Sequence, residues 1–264
     1  MTALAYTRTG TGPPLVLLHG IGSWRGAWEP VLPELARRFD VIAVDLPGFG
    51  ESAPLPGEPA PAALAGAVAG FLDELGVAAP HVAGNSLGGW VALELAAIRP
   101  AASVALLSPA GLWRADCPVY CRVTLRASWW LSRHAGRLLA RAVSWRPGRV
   151  LVLGQTHGRP ARMDAGYARG AVSALASGPG FDAALRATTR RRYRSGPPLS
   201  CPVSLAFGSR DFVLLPRQSR HRDQLPPGTR PSVLPGCGHV PMADNPGAVT
   251  GFIAASAARA QAPV

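Results

Sequence analysis

The chain has 264 residues, 48% of them hydrophobic, enough for one large core but not for a string of separate domains. No apolar run approaches bilayer length, and the opening MTALAYTRTGTG lacks the basic-then-apolar order of a secretion signal, so an unexported, cytoplasmic protein is expected. All 27 basic residues are arginine, and the net charge of +12 is uneven: residues 112–199 carry +13 and the rest of the chain −1.

In chain order, the apolar run LVLL at 15–18 reads as a strand buried on both faces of a parallel sheet. It ends in His19-Gly20-Ile21-Gly22, a loop that can aim the Ile21 N–H into a pocket at the strand tip, with His19 bonded within the loop. Residues 28–38 have helical spacing, 41–44 read as the next strand, and DLPGFGES at 45–52 makes a turn rich in Pro and Gly. A helix over 61–76 leads to HVAGNSLGGWVALEL at 81–95: a buried strand, a sharp turn and a helix, with Ser86 at the apex. GNSLG at 84–88 fills the nucleophile-elbow pattern G-x-S-x-G, in which strand and helix approach too closely for side chains on either side of the serine. The helix start brings its positive end and the free N–H of Leu87 beside Ser86, so Leu87 and Ile21 are the candidate oxyanion donors.

After the strand SVALL at 103–107 the alternation stops. Helices are expected over 119–143 with a break near Gly136, over 163–177 and over 182–193, with interruptions at Pro147, Pro160, Gly178-Pro179-Gly180 and Gly196-Pro197-Pro198. Sheet order returns at 202–207, then GSRD at 208–211 places Asp211 just past a strand tip. A helix over 217–224, a strand over 231–234, the loop PGCGH at 235–239 and a final helix from Asn245-Pro246 complete the chain. The expected fold is α/β: a mostly parallel sheet with helices on both faces, formed by 1–111 and 200–264, with an arginine-rich helical cap at 112–199.

Ser86, Asp211 and His239 follow the chain order nucleophile, acid, base, each on a loop after a strand. A serine hydroxyl needs an imidazole to take its proton, and the imidazole needs a carboxylate to fix its tautomer. His81, His134, His157 and His221 sit elsewhere; Asp45, Asp223 and Asp244 compete with Asp211 for the acid. Gly20, Trp90 and Cys237 are candidate pocket residues. Cys117, Cys121, Cys201 and Cys237 are too few for a disulfide scaffold and lack histidines at ligand spacing, so no metal and no cofactor are expected.

These motifs resemble those of the α/β-hydrolase family: His19-Gly20, DLPGFGES, Ser86 in GNSLGG, Gly208 to Asp211 and Gly238-His239 come in the family's order. GNSLGG and DLPGFGES are most similar to carbon–carbon bond hydrolases of aromatic ring-fission products and neighbouring esterases. The resemblance implies a cofactor-free serine hydrolase of an ester, lactone, thioester or activated C–C bond. Serine at 86 argues against the dehalogenase and epoxide-hydrolase branches, which use aspartate there. Pro216 follows Asp211 by five residues where relatives often have four. Perhydrolase or haloperoxidase-like chemistry with the same triad, or a non-catalytic binding role, are the alternatives.

If residues 122–141 are helical, Arg122, Arg126, Arg133, Arg137 and Arg141 share a stripe roughly 100° wide, while Leu125, Leu131, Leu138, Leu139 and Val143 fall largely elsewhere. Such a stripe is either a solvated face or a surface for an anionic partner: a small-molecule substrate with a carboxylate or phosphate, an acidic carrier protein, or an anionic membrane. No nucleic-acid module accompanies it.

Overall fold

Short apolar runs with no charge inside them can be buried on both faces, and they build the centre of a seven-stranded sheet. In the computed structural model, which describes residues 4–196 and 198–260, the strands are β1 (Tyr6–Thr9), β2 (Pro14–Leu18), β3 (Asp40–Val44), β4 (His81–Asn85), β5 (Ser103–Leu107), β6 (Val203–Gly208) and β7 (Pro231–Leu234). Residues 1–3, Pro197 and 261–264, which the sequence reading assigns to the core ends and to one cap interruption, lie outside the described residues. The order is β1-β3-β2-β4-β5-β6-β7, and every pairing except β1 with β3 is parallel. The edge strand β1, YTRT, has no apolar run to announce it; its register is fixed by pairing with β3 and by Arg8 bound to Asp40.

Side chains alternate across the sheet. Leu15, Leu17, Val41 and Ala43 pack against Trp28, Leu35 and Ile253. Val16, Leu18, Ile42 and Val44 face Leu64, Val68, Leu72 and Leu95. The helices on the two faces are α1 (Leu32–Leu35), α2 (Pro61–Glu74), α3 (Leu87–Ile98) and, at the end, α9 (Pro246–Ala258), which Asn245 caps from its side chain. The helix expected over 28–38 is broken: a 3₁₀ turn at Arg25–Trp28 and the single turn of α1, because Pro30 and Pro33 cannot supply interior donors.

Between β5 and β6 the chain leaves the sheet for α4 (Val119–Ala142), α5 (Arg146–Leu153), α6 (Ala165–Ser177) and α7 (Phe181–Thr189). Helix α4 is interrupted at Ala135 (φ −119°, ψ 20°), beside the expected break at Gly136. Helix α5 was not expected; Pro147 opens it in the first turn, where a missing N–H costs nothing, instead of interrupting it. Helix α6 starts later than expected, after a 3₁₀ turn at Pro160–Arg162, and Asp164 caps it by accepting from Gly166 and Tyr167 N–H at 2.7 and 3.0 Å. Helix α7 ends at Thr189 because Tyr193 turns away to donate its N–H to the Gly111 carbonyl at 3.0 Å. The helix expected over 217–224 shrinks to α8 (Pro216–Ser219), as the His221 N–H donates to the Leu112 carbonyl at 2.9 Å.

Val143 is buried, but Leu131 and Leu138 are exposed beside the arginines, while the inward face is marked by Cys121 and Ser132.

His157, at the seam between α5 and the His239 loop, is buried, and burial holds its pKa down at about 4 despite the nearby Asp244. Burial also lowers His81 and His19. A histidine kept neutral in the fold stabilises it fully above its unfolded value of 6.5, and that contribution is lost as pH falls toward about 4. Acidification through this window should cost up to about 3 kcal/mol from His157 alone, and His157→Gln should flatten the slope of stability against pH measured by urea unfolding.

Candidate active site

The turn between β4 and α3 puts Ser86 at φ 55° and ψ −117°, a region that an L-residue enters at a cost of about 1–3 kcal/mol. The packing that imposes it is steric. A Cβ on Gly84 would overlap the Gly88 backbone, and one on Gly88 would overlap the backbone of Leu18 and His19 at the tip of β2. A Cβ on Gly20 would come within 3.1 Å of the Ser86 Cβ, so the loop after β2 lies directly against the serine. That loop is held by His19, whose Nδ1–H donates to the Gly20 carbonyl at 2.8 Å while Nε2 accepts from Leu46 N–H at 3.0 Å. The N–H groups of Ile21 and Leu87 serve as donors in none of the loop and cap bonds among the described residues.

Asp211, past the tip of β6, is buried, with Oδ1 accepting from Val213 and Leu214 N–H at 3.0 and 2.8 Å. Its Oδ2 accepts from His239 Nδ1–H at 3.0 Å, which fixes the ring's tautomer and leaves Nε2 free to act as a base. Burial opposes the charge on Asp211, but the His239 ring, their hydrogen bond and the Leu214 N–H outweigh it and hold the carboxyl below its ordinary range. Among the described residues no hydrogen bond joins Ser86 Oγ to His239; such contacts commonly tighten only around substrate.

Two residues tie this cluster together: Asn85, which sequence reasoning missed, and Asp244, which it offered only as a candidate acid. Asn85, beside Ser86, donates from Nδ2 to the carbonyls of Leu107 at 3.0 Å and His239 at 2.8 Å, bridging 154 residues of chain. Asp244 accepts from the N–H groups of Gly158, Arg159 and Gly238, each at 2.7 Å, so it binds the segment after α5 to the His239 loop. A polar residue at the variable position of the elbow is the only signal that pointed to Asn85. The other candidate acids lie apart: Asp45 accepts the Arg25 N–H at 2.6 Å and pairs with the Arg25 guanidinium, and Asp223 is on the surface.

A cavity of about 30 Å³ faces Ser86, lined by Ile21, Leu87, Ala110, Trp113, Val213 and Leu214 and closed from the cap side by Cys117, Cys121, Leu125, Leu185 and Thr188. That volume holds a water or two. None of the three expected pocket residues is in the wall; Gly20 lies against Ser86 without lining the cavity. Trp90 stacks edge-on behind Trp113 with centroids 5.7 Å apart, one layer removed. Cys237 is fully buried on the opposite face of the sheet with Leu15, Leu17 and Met242, because its backbone turns the side chain inward from the loop that presents His239. A larger groove of about 730 Å³ lies outside, lined by Arg122, Arg126, Arg186, Arg190, Arg191 and Glu58, and Leu185 is common to both.

A mostly parallel sheet with a strained serine, a carboxylate and an imidazole gathered at its strand tips defines a hydrolase scaffold. The profile of the alpha/beta hydrolase family matches residues 15–251, and the chain belongs to that family. It is similar to the protein named epoxide hydrolase EphH of Mycobacterium tuberculosis, 35% identical over 197 residues, covering 73% of this chain and 92% of that one. It is also similar to the dihydrolipoyllysine-residue acetyltransferase component of the acetoin cleaving system of Cupriavidus necator, 46% identical over 109 residues. That match covers 40% of this chain and only 29% of the relative's length. Among solved structures, a thermophilic esterase from Thermogutta terrifontis aligns with a TM-score of 0.77 at 26% identity, over 98% of this chain and 94% of its own. Among the described residues, no helix is long and apolar enough to cross a membrane.

Replacing Asn85 by Ala removes the donor to the buried His239 carbonyl, and an unpaired buried carbonyl costs about 1–3 kcal/mol. We expect a loss of that size in thermal unfolding, and Asn85→Asp to be no better, since a carboxylate cannot donate to either carbonyl.

Proposed function

We propose that the protein is a cofactor-free serine hydrolase in which Ser86 is the nucleophile, His239 the general base and acid, and Asp211 the residue that orients and charges the imidazole. The observation that supports this reading is the bond from Asn85 to the His239 carbonyl, which ties the backbone of the residue bearing a carboxylate-bound imidazole to the turn presenting Ser86. In the first half-reaction His239 Nε2 takes the Ser86 proton as Oγ adds to the substrate carbonyl, and the N–H groups of Leu87 and Ile21 receive the developing oxyanion. Collapse expels the leaving group, protonated by His239; water, deprotonated by the same ring, then releases the acyl group and restores the serine.

An ester fits best. The nearby groove presents Arg122 and Arg190 outside the ion pairs that Asp182 forms with Arg126 and Arg186, and Glu58 with Arg191, which favours an ester whose acyl or alcohol part bears a carboxylate or phosphate. The name epoxide hydrolase borne by one relative supplies a contrast: ring opening there would call for a carboxylate at the nucleophile position, where this chain has Ser86.

Fluorophosphonate should label Ser86, and Ser86→Ala should lower kcat on an aryl ester by roughly four to six orders of magnitude with an unchanged melting curve. A folded Ser86→Ala enzyme that keeps a tenth of the turnover, or wild type that opens a terminal epoxide while ignoring esters, would overturn the mechanism. Added salt should depress kcat/KM for a carboxylate-bearing ester and leave a neutral one almost unchanged; equal responses would remove the anionic substrate from the reading.

A further inference from the structure

The outward face of α4 and α5 brings together two properties that a solvated surface rarely combines. Of the 13 large hydrophobic side chains exposed among the described residues, nine lie between Val119 and Leu151, with Trp130 56%, Leu138 68% and Leu151 86% exposed. Over residues 117–163 there are nine arginines and not one Asp or Glu. At about 100° per residue, Val123, Trp130, Leu131 and Leu138 and the arginines 126, 133, 137 and 141 fall in one sector roughly 160° wide, opposite the inward-facing Cys121 and Ser132. Within the sector Arg126, Arg133 and Arg137 lie toward one flank and Leu131 and Leu138 toward the other, with Val123, Trp130 and Arg141 between them. Trp130 is braced by His134, whose ring stacks on it with centroids 4.5 Å apart. After a three-residue turn, α5 extends the face with the exposed Leu151, and Trp145 lies exposed in the turn itself.

We infer that this face of α4 and α5 docks on the surface of an anionic lipid bilayer. Tryptophan and aliphatic side chains enter the headgroup and acyl boundary while arginines beside them meet lipid phosphates, which is the division of labour of an interfacial amphipathic helix. Charge argues against a second copy of the chain, since the same arginine-rich face would meet itself. An apolar phase is what a soluble polyanion lacks; bound to one, Leu138 and Leu151 would stay in water. The exposed arginines and apolar side chains lie on both segments of α4, before and after the interruption at Ala135. The same helix lines the Ser86 cavity from its other side through Cys121 and Leu125, so the bilayer and the cavity would sit back to back.

The test is co-sedimentation of the full chain with phosphatidylcholine vesicles made with and without phosphatidylglycerol, together with tryptophan emission. The chain should pellet with the anionic vesicles at low salt, shift its emission to the blue, and stay in solution with phosphatidylcholine alone. Replacing Arg133, Arg137 and Arg141 by Gln should weaken partitioning roughly a hundredfold. Trp130→Ser with Leu138→Ser and Leu151→Ser should abolish both the binding and the shift, with circular dichroism melting as the check on folding. The single change Leu151→Asp, at an already exposed position, should weaken partitioning severalfold. Wild type that remains in solution with anionic vesicles overturns the inference. So does serine-variant binding equal to wild type, or a dimer seen by sedimentation without lipid that the same substitutions disperse.

Discussion

Everything at the proposed site depends on the close approach of α3 to β4 and to the tip of β2. With Gly84 and Gly88 in contact with neighbouring backbone, the chain has no room to relax the turn between them, and Ser86 is driven to positive φ. The strain is held by the surrounding core: Val91 and Leu95 anchor the helix, while β4 is paired on both sides by β2 and β5. The local cost of about 1–3 kcal/mol is offset by the burial of these two side chains at about 2 kcal/mol each.

Around that turn, hydrogen bonds recruit distant chain segments. Asp211 reaches His239 through one carboxylate oxygen and spends the other on its own loop, so the imidazole is aimed by a carboxylate that cannot rotate away. Asn85 links the elbow to the backbone of the His239 loop, and Asp244 links that loop to the cap.

What the sequence made legible was whatever chemistry is local. The central strands announced themselves as apolar runs, the elbow by its glycines, and Asp211 and His239 by their places after strands. Elements shaped by partners were not legible. The strand Tyr6–Thr9 exists only by pairing with β3, and α7 and the 217–224 segment stop where their backbones find acceptors at Gly111 and Leu112. Pro147 was misread because proline interrupts or begins a helix according to a position the sequence alone does not mark. Cys237 stands two residues from His239 yet points through the sheet, since neighbours in sequence around a tight loop need not share a side. The outward turn of Leu131 and Leu138 was hidden for a similar reason: a helical wheel ranks residues by angle but does not say how wide a sector the neighbours cover.

The three bonds to Asp244 carry a mechanical consequence. They clamp residues 158–159 beside the histidine loop, and among the described residues no comparable set of backbone bonds to a single carboxylate holds α4. The segment is therefore held unevenly: the margin away from that clamp is the one where Leu125 of α4 and Leu185 of α7 line the cavity, and the arginine-lined groove shares Leu185 with that edge. A molecule on that side meets positive charge before it meets the serine, while the clamp sits on the opposite margin, one residue from His239.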